Sequence, residues 1–281
     1  MNAVRAFAFV STLALYAASL ACGGAGAVTP AAGPAAGGSH PFKAQAVEYK
    51  EGATVLEGYL AYPTDIPPGT KRPAVVVFHD WMGLGPGPKK RAEELAQLGY
   101  VAFAGDIYGK GQRPANNDEA AKLAGTFKND RGLMRARARA ALAHVSSDPR
   151  VDASKVAAMG YCFGGTAALE LGRSGAPLAG IVSFHGGLAT PHPEDAKNIK
   201  GRVLALHGAD DPFVKSDEVL GFEQEMRQAG VDWQLVAYGG AVHAFAVKEA
   251  GSDASKGAAY NAKADARSWA DMQQFFSEVL K

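Results

Sequence analysis

One short stretch near the middle of the chain constrains the fold most strongly: Gly160-Tyr161-Cys162-Phe163-Gly164. It follows the apolar residues 156–159 and precedes the small residues 165–169. This order predicts a strand, a sharp turn and a helix, with the cysteine at the apex and glycines where strand and helix nearly touch. The first N–H groups of such a helix and the positive end of its dipole face the sulfur, which favours its thiolate form.

The composition limits the classes of protein to which the chain can belong. The chain has 281 residues, of which 47% are hydrophobic and 20% charged, enough for one large domain with a substantial core. Its net charge of +1 and the lack of a basic run exclude electrostatic binding of nucleic acid. We predict no metal site and no cofactor, and the sequence leaves the oligomeric state open.

The first 27 residues read as an export signal rather than as part of the fold. Arg5 supplies the positive charge, and residues 6–20 form an apolar segment. That segment is shorter than the roughly 20 apolar residues of a membrane-spanning helix. The A-x-A sequence at 25–27 predicts cleavage after residue 27, so we expect an exported protein. An uncleaved, disordered tail is the alternative.

A second processing site competes with the first. Residues 19–22 resemble a bacterial lipobox, although Ser19 stands where leucine is usual. Cleavage there would leave a signal of residues 1–21 and a lipid on Cys22. The protein would then be anchored to the bacterial envelope rather than free in the periplasm. Either event leaves Cys162 as the single free thiol of the mature chain, which excludes an internal disulfide and a dithiol redox cycle.

Residues 28–41 are rich in Ala, Gly and Pro and predict a flexible tether, followed by one domain over residues 42–281. Two short segments with period-two patterning predict an opening antiparallel strand pair, at 47–49 and 56–61. Apolar runs predict further strands at 74–78, 100–104, 156–159, 180–184, 203–206 and 233–238. Helical patterns lie between and after them, at 90–98, 117–127, 132–146, 216–229 and 264–280. This alternation predicts an α/β fold: a mainly parallel sheet with helices on both faces. We interpret Arg135, Arg137 and Arg139 as a solvated face of one helix.

A reactive thiol needs a base, and the base needs an orienting carboxylate. In a sheet of this kind the chain order is nucleophile, acid and histidine, each in a loop after a strand. The loops after the last two predicted strands supply Asp211 and His243, so we predict that they act with Cys162. Asp210 competes with Asp211 for the role of the acid. Three further histidines end predicted strands and are expected to line the same cleft: His79, His185 and His207.

Several segments together resemble the dienelactone hydrolases, the cysteine-nucleophile branch of the α/β-hydrolase superfamily. The likeness extends from residue 45 to the C-terminus, and its most similar segments are 75–84, 105–109, 159–165, 207–211 and 242–245. It implies an α/β-hydrolase fold and hydrolysis of a small ester or lactone through a Cys-His-Asp triad and a thioester acyl-enzyme. It also implies an oxyanion hole made by the backbone N–H groups of Phe163 and Trp81, each contributing about 3 kcal/mol to the transition state. Near them, Asp80, His79 and Tyr108 are implied to contact the substrate or to tune the thiol.

The sequence departs from the family pattern at three places. Asp80 stands where the type members have a glutamate that helps switch the cysteine between thiol and thiolate. Ala244 and Val247 stand where a serine and a carboxylate-binding arginine are expected. A second arginine of the family falls around residues 116–122, where the pattern does not align. Without an arginine fork the site loses the group best suited to hold a carboxylate, which argues against a dienelactone substrate.

Two other functions compete with hydrolysis. A thiol acyltransferase would share the acyl-enzyme but prefer an acceptor other than water. A non-catalytic exported binding protein would display the same domain on its tether; the presence of all three triad residues argues against it. Residues 258–261 either cover the cleft near His243 or form a surface linker. Under each of these hypotheses, the Cys162 thiol is susceptible to oxidation to sulfenic acid.

Overall fold

The computed structural model describes Met1 and residues 39–281. The predicted signal peptide, including Cys22, and most of the predicted tether therefore lie outside the described residues. The end of that tether is part of the domain: His40 N–H donates to the Gln97 carbonyl at 2.9 Å, and the Pro41 carbonyl accepts from Thr64 N–H at 2.8 Å. Among the described residues, no helix is both long and apolar enough to cross a membrane.

Within residues 39–281, one sheet contains eight strands in the spatial order β1-β2-β4-β3-β5-β6-β7-β8. The strands are β1 (Phe42–Glu51), β2 (Thr54–Pro63), β3 (Arg72–Phe78), β4 (Val101–Gly105), β5 (Val151–Tyr161), β6 (Gly180–Phe184), β7 (Arg202–Gly208) and β8 (Trp233–Tyr238). The β1–β2 and β2–β4 pairs are antiparallel, and the remaining neighbours are parallel. The predicted mainly parallel sheet with an antiparallel N-terminal pair is confirmed.

Six α-helices connect or follow these strands in the described part of the chain: α1 (Pro86–Gln97), α2 (Asn117–Asn129), α3 (Arg131–Ser146), α4 (Phe163–Arg173), α5 (Ser216–Ala229) and α6 (Ala262–Val279). Side-chain caps begin three of them, since Asn116, Asp130 and Asn261 each accept a hydrogen bond from a backbone N–H three residues on. Helix α5 ends at Gly230, which adopts the left-handed conformation that favours glycine.

The helices cover both faces of the sheet. One buried cluster joins one face to α2–α5, and a second joins the opposite face to α1 and α6. Alternate residues of β3 divide between them, with Val76 in the first cluster and Val75 and Val77 in the second. Burial on both faces explains why the central strands are continuous apolar runs.

The predicted solvated arginine face of α3 is wrong for two of its three residues. Arg137 is only 8% exposed and pairs with Glu51 at 3.0 Å. Arg135 pairs with the buried Glu170 at 2.8 Å. Helix α3 packs against both the β1–β2 hairpin and α4, so acidic partners from those elements cover its polar side. Arg139 is exposed, as expected.

Candidate active site

The turn between β5 and α4 places Cys162 at its apex. Cys162 has φ +53° and ψ −116°, a conformation that non-glycine residues rarely adopt. A Cβ on Gly160 would collide with the carbonyl of Gly164, and one on Gly164 would collide with the carbonyl of Phe78. The two glycines are therefore required by close backbone approach, and they press the turn against the end of β3.

His243 lies between the thiol and a buried carboxylate. Its Nε2 atom is 3.1 Å from Cys162 Sγ, and its Nδ1 atom is 2.7 Å from Asp211 Oδ2. The other oxygen, Oδ1, accepts hydrogen bonds from Phe213 N–H at 2.8 Å and Val214 N–H at 3.2 Å. The Asp211 carboxylate is fully buried. These bonds hold the carboxylate in place and, through it, the imidazole.

The neighbouring Asp210 does not share this position. Its side chain is exposed and makes no hydrogen bond within residues 39–281. Its backbone N–H donates to the Ala241 carbonyl at 3.0 Å, which fixes the loop. Of the two adjacent aspartates, the structure brings Asp211 to His243.

The charge state of His243 follows from its partners. Burial lowers the pKa of His243, but the hydrogen bonds and negative charges of Asp211 and Cys162 outweigh burial and raise that pKa to about 10. The imidazolium form is therefore favoured whenever the sulfur carries negative charge. This geometry can hold a thiolate and an imidazolium as an ion pair.

The other three histidines occupy different surroundings. His185 is fully buried, and its ring centroid lies 5.3 Å from that of His243. Burial and the nearby His243 hold the pKa of His185 well below its usual value, so it stays neutral. Burial also lowers the pKa of His207. His79 is fully buried, which excludes the direct substrate contact predicted for it. In this geometry only His243 reaches the thiol.

The two backbone N–H groups implied as oxyanion donors belong to the residue after Cys162 and to the loop after β3. Phe163 begins α4, and Trp81 lies in the loop after β3 against which the turn packs. Within residues 39–281, neither N–H has a hydrogen-bond acceptor. Tyr108 O–H donates to the Trp81 carbonyl at 3.0 Å. Both N–H groups are thus available to an incoming oxygen.

The residues that depart from the family pattern supply no cation near the turn that carries Cys162. Asp80 Oδ1 accepts from Met82 N–H at 2.8 Å, and Asp80 makes no hydrogen bond to Cys162 among the described residues. Burial raises the pKa of Asp80, and the nearby Glu249 raises it further. Ala244 and Val247 supply no charge where the family pattern has polar and cationic groups.

The nearby cations have other partners. Arg113 donates to the Leu84 carbonyl at 3.1 Å and pairs with Glu57 at 2.7 Å. The Lys248 ammonium lies 5.9 Å from the centre of the Tyr260 ring. Neither Arg113 nor Lys248 contacts Cys162 through these interactions.

Two further contacts surround His243: one with a segment for which the sequence left two alternatives open, and one that the sequence analysis missed. Residues 257–259 pair with His243, whose N–H donates to the Gly257 carbonyl at 3.1 Å and whose carbonyl accepts from Ala259 N–H at 3.0 Å. This places the segment 258–261 beside His243 rather than in a remote linker. The Phe213 ring meets the His243 ring edge-on at 5.5 Å and remains 60% exposed. The only sequence signal was the position of Phe213 two residues after Asp211.

A mainly parallel sheet with a strained cysteine turn, followed by an acid loop and a histidine loop, defines the chain as an α/β-hydrolase. The family model of the dienelactone hydrolases matches residues 56–280, and the chain belongs to the dienelactone hydrolase family. Membership of this family makes the chain a hydrolase of ester or lactone bonds.

Relatives in sequence and structure cover nearly the whole described domain. An Aquifex aeolicus protein assigned as a carboxymethylenebutenolidase is 31% identical over 241 residues, which span 84% of this chain and 99% of that protein. The structure of m3DLH is 42% identical, with a TM-score of 0.82, and the match covers 85% of this chain and 99% of that one. P91, described as a dienelactone hydrolase-like promiscuous phosphotriesterase from metagenomic libraries, is 42% identical, with a TM-score of 0.81, and the match covers 87% and 100%.

Proposed function

We propose that this protein hydrolyses a small, uncharged ester or lactone through Cys162, His243 and Asp211. The observation that carries the proposal is the position of His243, 3.1 Å from the sulfur on one side and 2.7 Å from the buried carboxylate on the other. A base within hydrogen-bonding distance of a nucleophile, oriented by a third group, is the arrangement that activates a thiol for attack on a carbonyl.

The first half-reaction forms a thioester. The Cys162 thiolate attacks the carbonyl carbon, an S–C bond forms, and the carbonyl electron pair moves to oxygen. The N–H groups of Phe163 and Trp81 stabilise this oxyanion. The oxyanion then collapses, the C–O bond to the leaving group breaks, and His243 Nε2–H protonates the departing oxygen.

The second half-reaction releases the acid. Neutral His243 accepts a proton from water, and the hydroxide attacks the thioester carbonyl. The S–C bond breaks and Cys162 leaves as the thiolate. His243, now an imidazolium, pairs with that thiolate again. Asp211 keeps its negative charge throughout and stabilises each imidazolium state.

The charges around the thiol support an uncharged substrate. The groups whose charges act on Tyr108 are Cys162, Asp80 and Asp106, which are all acidic. At Val247 the arginine expected from the family pattern is missing. A substrate carboxylate would therefore lack the bidentate cation that the family pattern provides at this position.

The test compares wild type with Cys162→Ala on p-nitrophenyl butyrate, a neutral lactone and a lactone bearing a carboxylate. We expect wild type to turn over the neutral substrates in preference to the charged one. The variant should lose activity by about 10³-fold or more, as when other triad nucleophiles are removed. Intact-mass spectrometry should detect an acylated wild type and no acylated variant. Turnover by folded Cys162→Ala would overturn the proposal.

Acyl transfer shares the thioester and differs only in the second step. Product analysis with added alcohol or amine separates the two functions. If transfer products exceed the free acid at low acceptor concentration, the protein is an acyltransferase. If the free acid predominates, it is a hydrolase.

A second candidate activity is the hydrolysis of uncharged phosphotriesters. The likeness to P91 at 42% identity over that protein's whole length favours it. A thiolate beside two N–H donors suits a neutral phosphorus centre with a developing oxyanion as well as a carbonyl carbon. The test is release of nitrophenol from an aryl dialkyl phosphate by wild type and Cys162→Ala. A wild-type rate no higher than background hydrolysis would exclude this activity, and equal rates in the two proteins would exclude Cys162 as its nucleophile.

We also propose that the protein is exported. This proposal rests on the sequence of residues 1–27, which lie largely outside the described part of the chain. Mass spectrometry of the mature N-terminus from the producing cell is the test. A chain beginning at residue 28 indicates a free exported protein, and a lipid-modified Cys22 indicates an anchored one. A chain that retains Met1 would contradict export.

A further inference from the structure

We propose that His79, together with Tyr108, is a positioning residue that aims the Trp81 N–H into the oxyanion hole. The inference rests on the proposed function, because the hole matters only if an oxyanion forms. Its basis is a set of hydrogen bonds on the two peptide groups that flank Trp81.

In one neutral tautomer of His79, both ring nitrogens have a hydrogen-bond partner. The residue is fully buried. Ile107 N–H donates to His79 Nε2 at 3.1 Å, so Nε2 carries no proton and the ring proton lies on Nδ1. His79 Nδ1–H then donates to the Asp80 carbonyl, 2.6 Å away. The imidazole thus links the end of β4 to the peptide that precedes Trp81.

The orientation of that peptide determines the direction of the Trp81 N–H. No cis peptide bond occurs among the described residues, so the Asp80 carbonyl and the Trp81 N–H belong to one trans plane and point in opposite directions. A hydrogen bond that holds the carbonyl toward His79 therefore directs the N–H away from it. Gly83 N–H also donates to the Asp80 carbonyl, at 3.2 Å, and closes the turn around it.

Tyr108 holds the next peptide group. Its O–H donates to the Trp81 carbonyl at 3.0 Å, so the peptide groups on both sides of the Trp81 α-carbon are fixed. Burial and the negative charges of Cys162, Asp80 and Asp106 raise the pKa of Tyr108 far above its usual value. The phenol therefore stays protonated, and remains a donor, beyond the pH at which a free tyrosine ionises.

The His79 ring also packs against the side chain of Phe163, the residue that supplies the other proposed oxyanion donor. The His79 ring stacks on the Phe163 ring with centroids 5.9 Å apart and planes 19° apart. The Tyr108 ring lies 4.7 Å from His79 and 5.2 Å from Phe163. His79 thus contacts the residue that supplies one N–H and orients the peptide that supplies the other.

A purely structural role for this buried histidine predicts a different outcome, and two reactions of Cys162 separate the roles. Ester hydrolysis develops an oxyanion at the substrate oxygen. Alkylation by iodoacetamide does not: the thiolate displaces iodide, an S–C bond forms and the C–I bond breaks. Loss of oxyanion positioning should slow the first reaction alone, whereas general damage to the site should slow both.

The variants are His79→Leu, His79→Asn and Tyr108→Phe. Leucine removes the donor to Asp80, and asparagine retains an amide N–H near the position of Nδ1. Tyr108→Phe removes only the hydroxyl. The matched control is Tyr238→Phe, which removes a hydroxyl from another buried tyrosine, bonded to Asp271 at 2.6 Å on α6.

We expect kcat/KM for the ester to fall by about 10- to 100-fold in His79→Leu and in Tyr108→Phe, part of what deletion of an oxyanion donor costs. The alkylation rate should stay within about twofold of wild type, and His79→Asn should recover part of the ester activity. The control should change neither rate. Equal loss of both reactions, or unchanged hydrolysis in folded variants, would overturn the inference.

If His79→Leu does not fold, Tyr108→Phe still tests the proposal, because this variant retains the aromatic ring and its packing. A failure of the proposed function would give a different result from a failure of the positioning role. Folded Cys162→Ala that still hydrolyses the ester would remove the proposed mechanism, whatever the His79 variants do. An inactive Cys162→Ala beside fully active His79→Leu and Tyr108→Phe would refute the positioning role alone.

Discussion

The Nδ1 atom of His243 lies 2.7 Å from the buried Oδ2 atom of Asp211. This contact fixes the tautomer of the imidazole, because the carboxylate can only accept and Nδ1 must therefore carry a proton. The opposite nitrogen then faces Cys162 Sγ at 3.1 Å. One buried carboxylate thus determines which nitrogen of His243 faces the thiol.

Replacing that carboxylate should impair catalysis without unfolding the protein. We expect Asp211→Asn to lower kcat by about 10³- to 10⁴-fold, because an amide neither stabilises the imidazolium nor selects its tautomer. Asp210→Asn is the matched control, since Asp210 is the exposed neighbour. Its activity should be that of wild type. The comparison fails if the two variants lose similar activity while their circular dichroism spectra match.

His243 should titrate far above an ordinary histidine. Its hydrogen bonds to Asp211 and Cys162 outweigh burial and raise its pKa to about 10. NMR of the imidazole should show this, and the pKa should fall in Cys162→Ala because one of the two raising partners is gone. An unchanged pKa in that variant would mean that the thiol does not interact with His243 in solution.

The same titration has a consequence for stability. A group whose pKa is raised on folding stabilises the fold fully below its unfolded pKa near 6.5, and the contribution is lost as pH rises through about 10. We therefore expect the Tm of wild type to fall between pH 7 and pH 10 more steeply than that of Cys162→Ala. Differential scanning calorimetry measures this, and parallel slopes would contradict it.

The glycine after the nucleophile should tolerate no side chain. A Cβ on Gly164 would collide with the Phe78 carbonyl and would lie 2.5 Å from the His79 carbonyl. We expect Gly164→Ala to cost about 3 kcal/mol or more and to abolish activity, because backbone atoms must shift. Gly125→Ala on α2 is the control, since open space surrounds that position. It should raise stability by up to about 1 kcal/mol, and urea denaturation measures both.

A buried ion pair joins α4, which begins at the active-site turn, to α5. Arg173 Nε and Nη2 each donate to Glu225 at 2.7 Å, and the guanidinium is fully buried. We expect Glu225→Gln to cost about 3 kcal/mol in the free energy of unfolding, because it removes one of the two carboxylates that pair with the buried guanidinium; the other is Glu170, at 3.1 Å. Glu223→Gln on the same helix breaks only the more exposed pair with Arg227. It should cost less than about 0.5 kcal/mol by the same urea titration.

The sequence anticipated what depends on local pattern. Apolar runs predicted the strands because burial on both faces leaves no polar positions, and α5 and β8 begin and end where their patterns predicted. The arginines of α3 show the limit of such patterns. Arg135 and Arg137 are of a residue type that is mostly exposed, yet the partners that bury them come from β1 and α4, distant in the chain.

The active site also has features that the sequence predicted and features that only the tertiary structure showed. Chain order alone placed a thiol after β5, two adjacent aspartates after β7 and a histidine after β8. Parallel strands bring their carboxyl ends to one edge of the sheet. The sequence also excluded an arginine at Val247. Only the tertiary structure chose Asp211 over Asp210, because that choice depends on which side chain the loop turns inward. It alone showed that His79 is buried and bonded to the Asp80 carbonyl and the Ile107 N–H, since burial and hydrogen bonds between distant loops leave no trace in local sequence pattern.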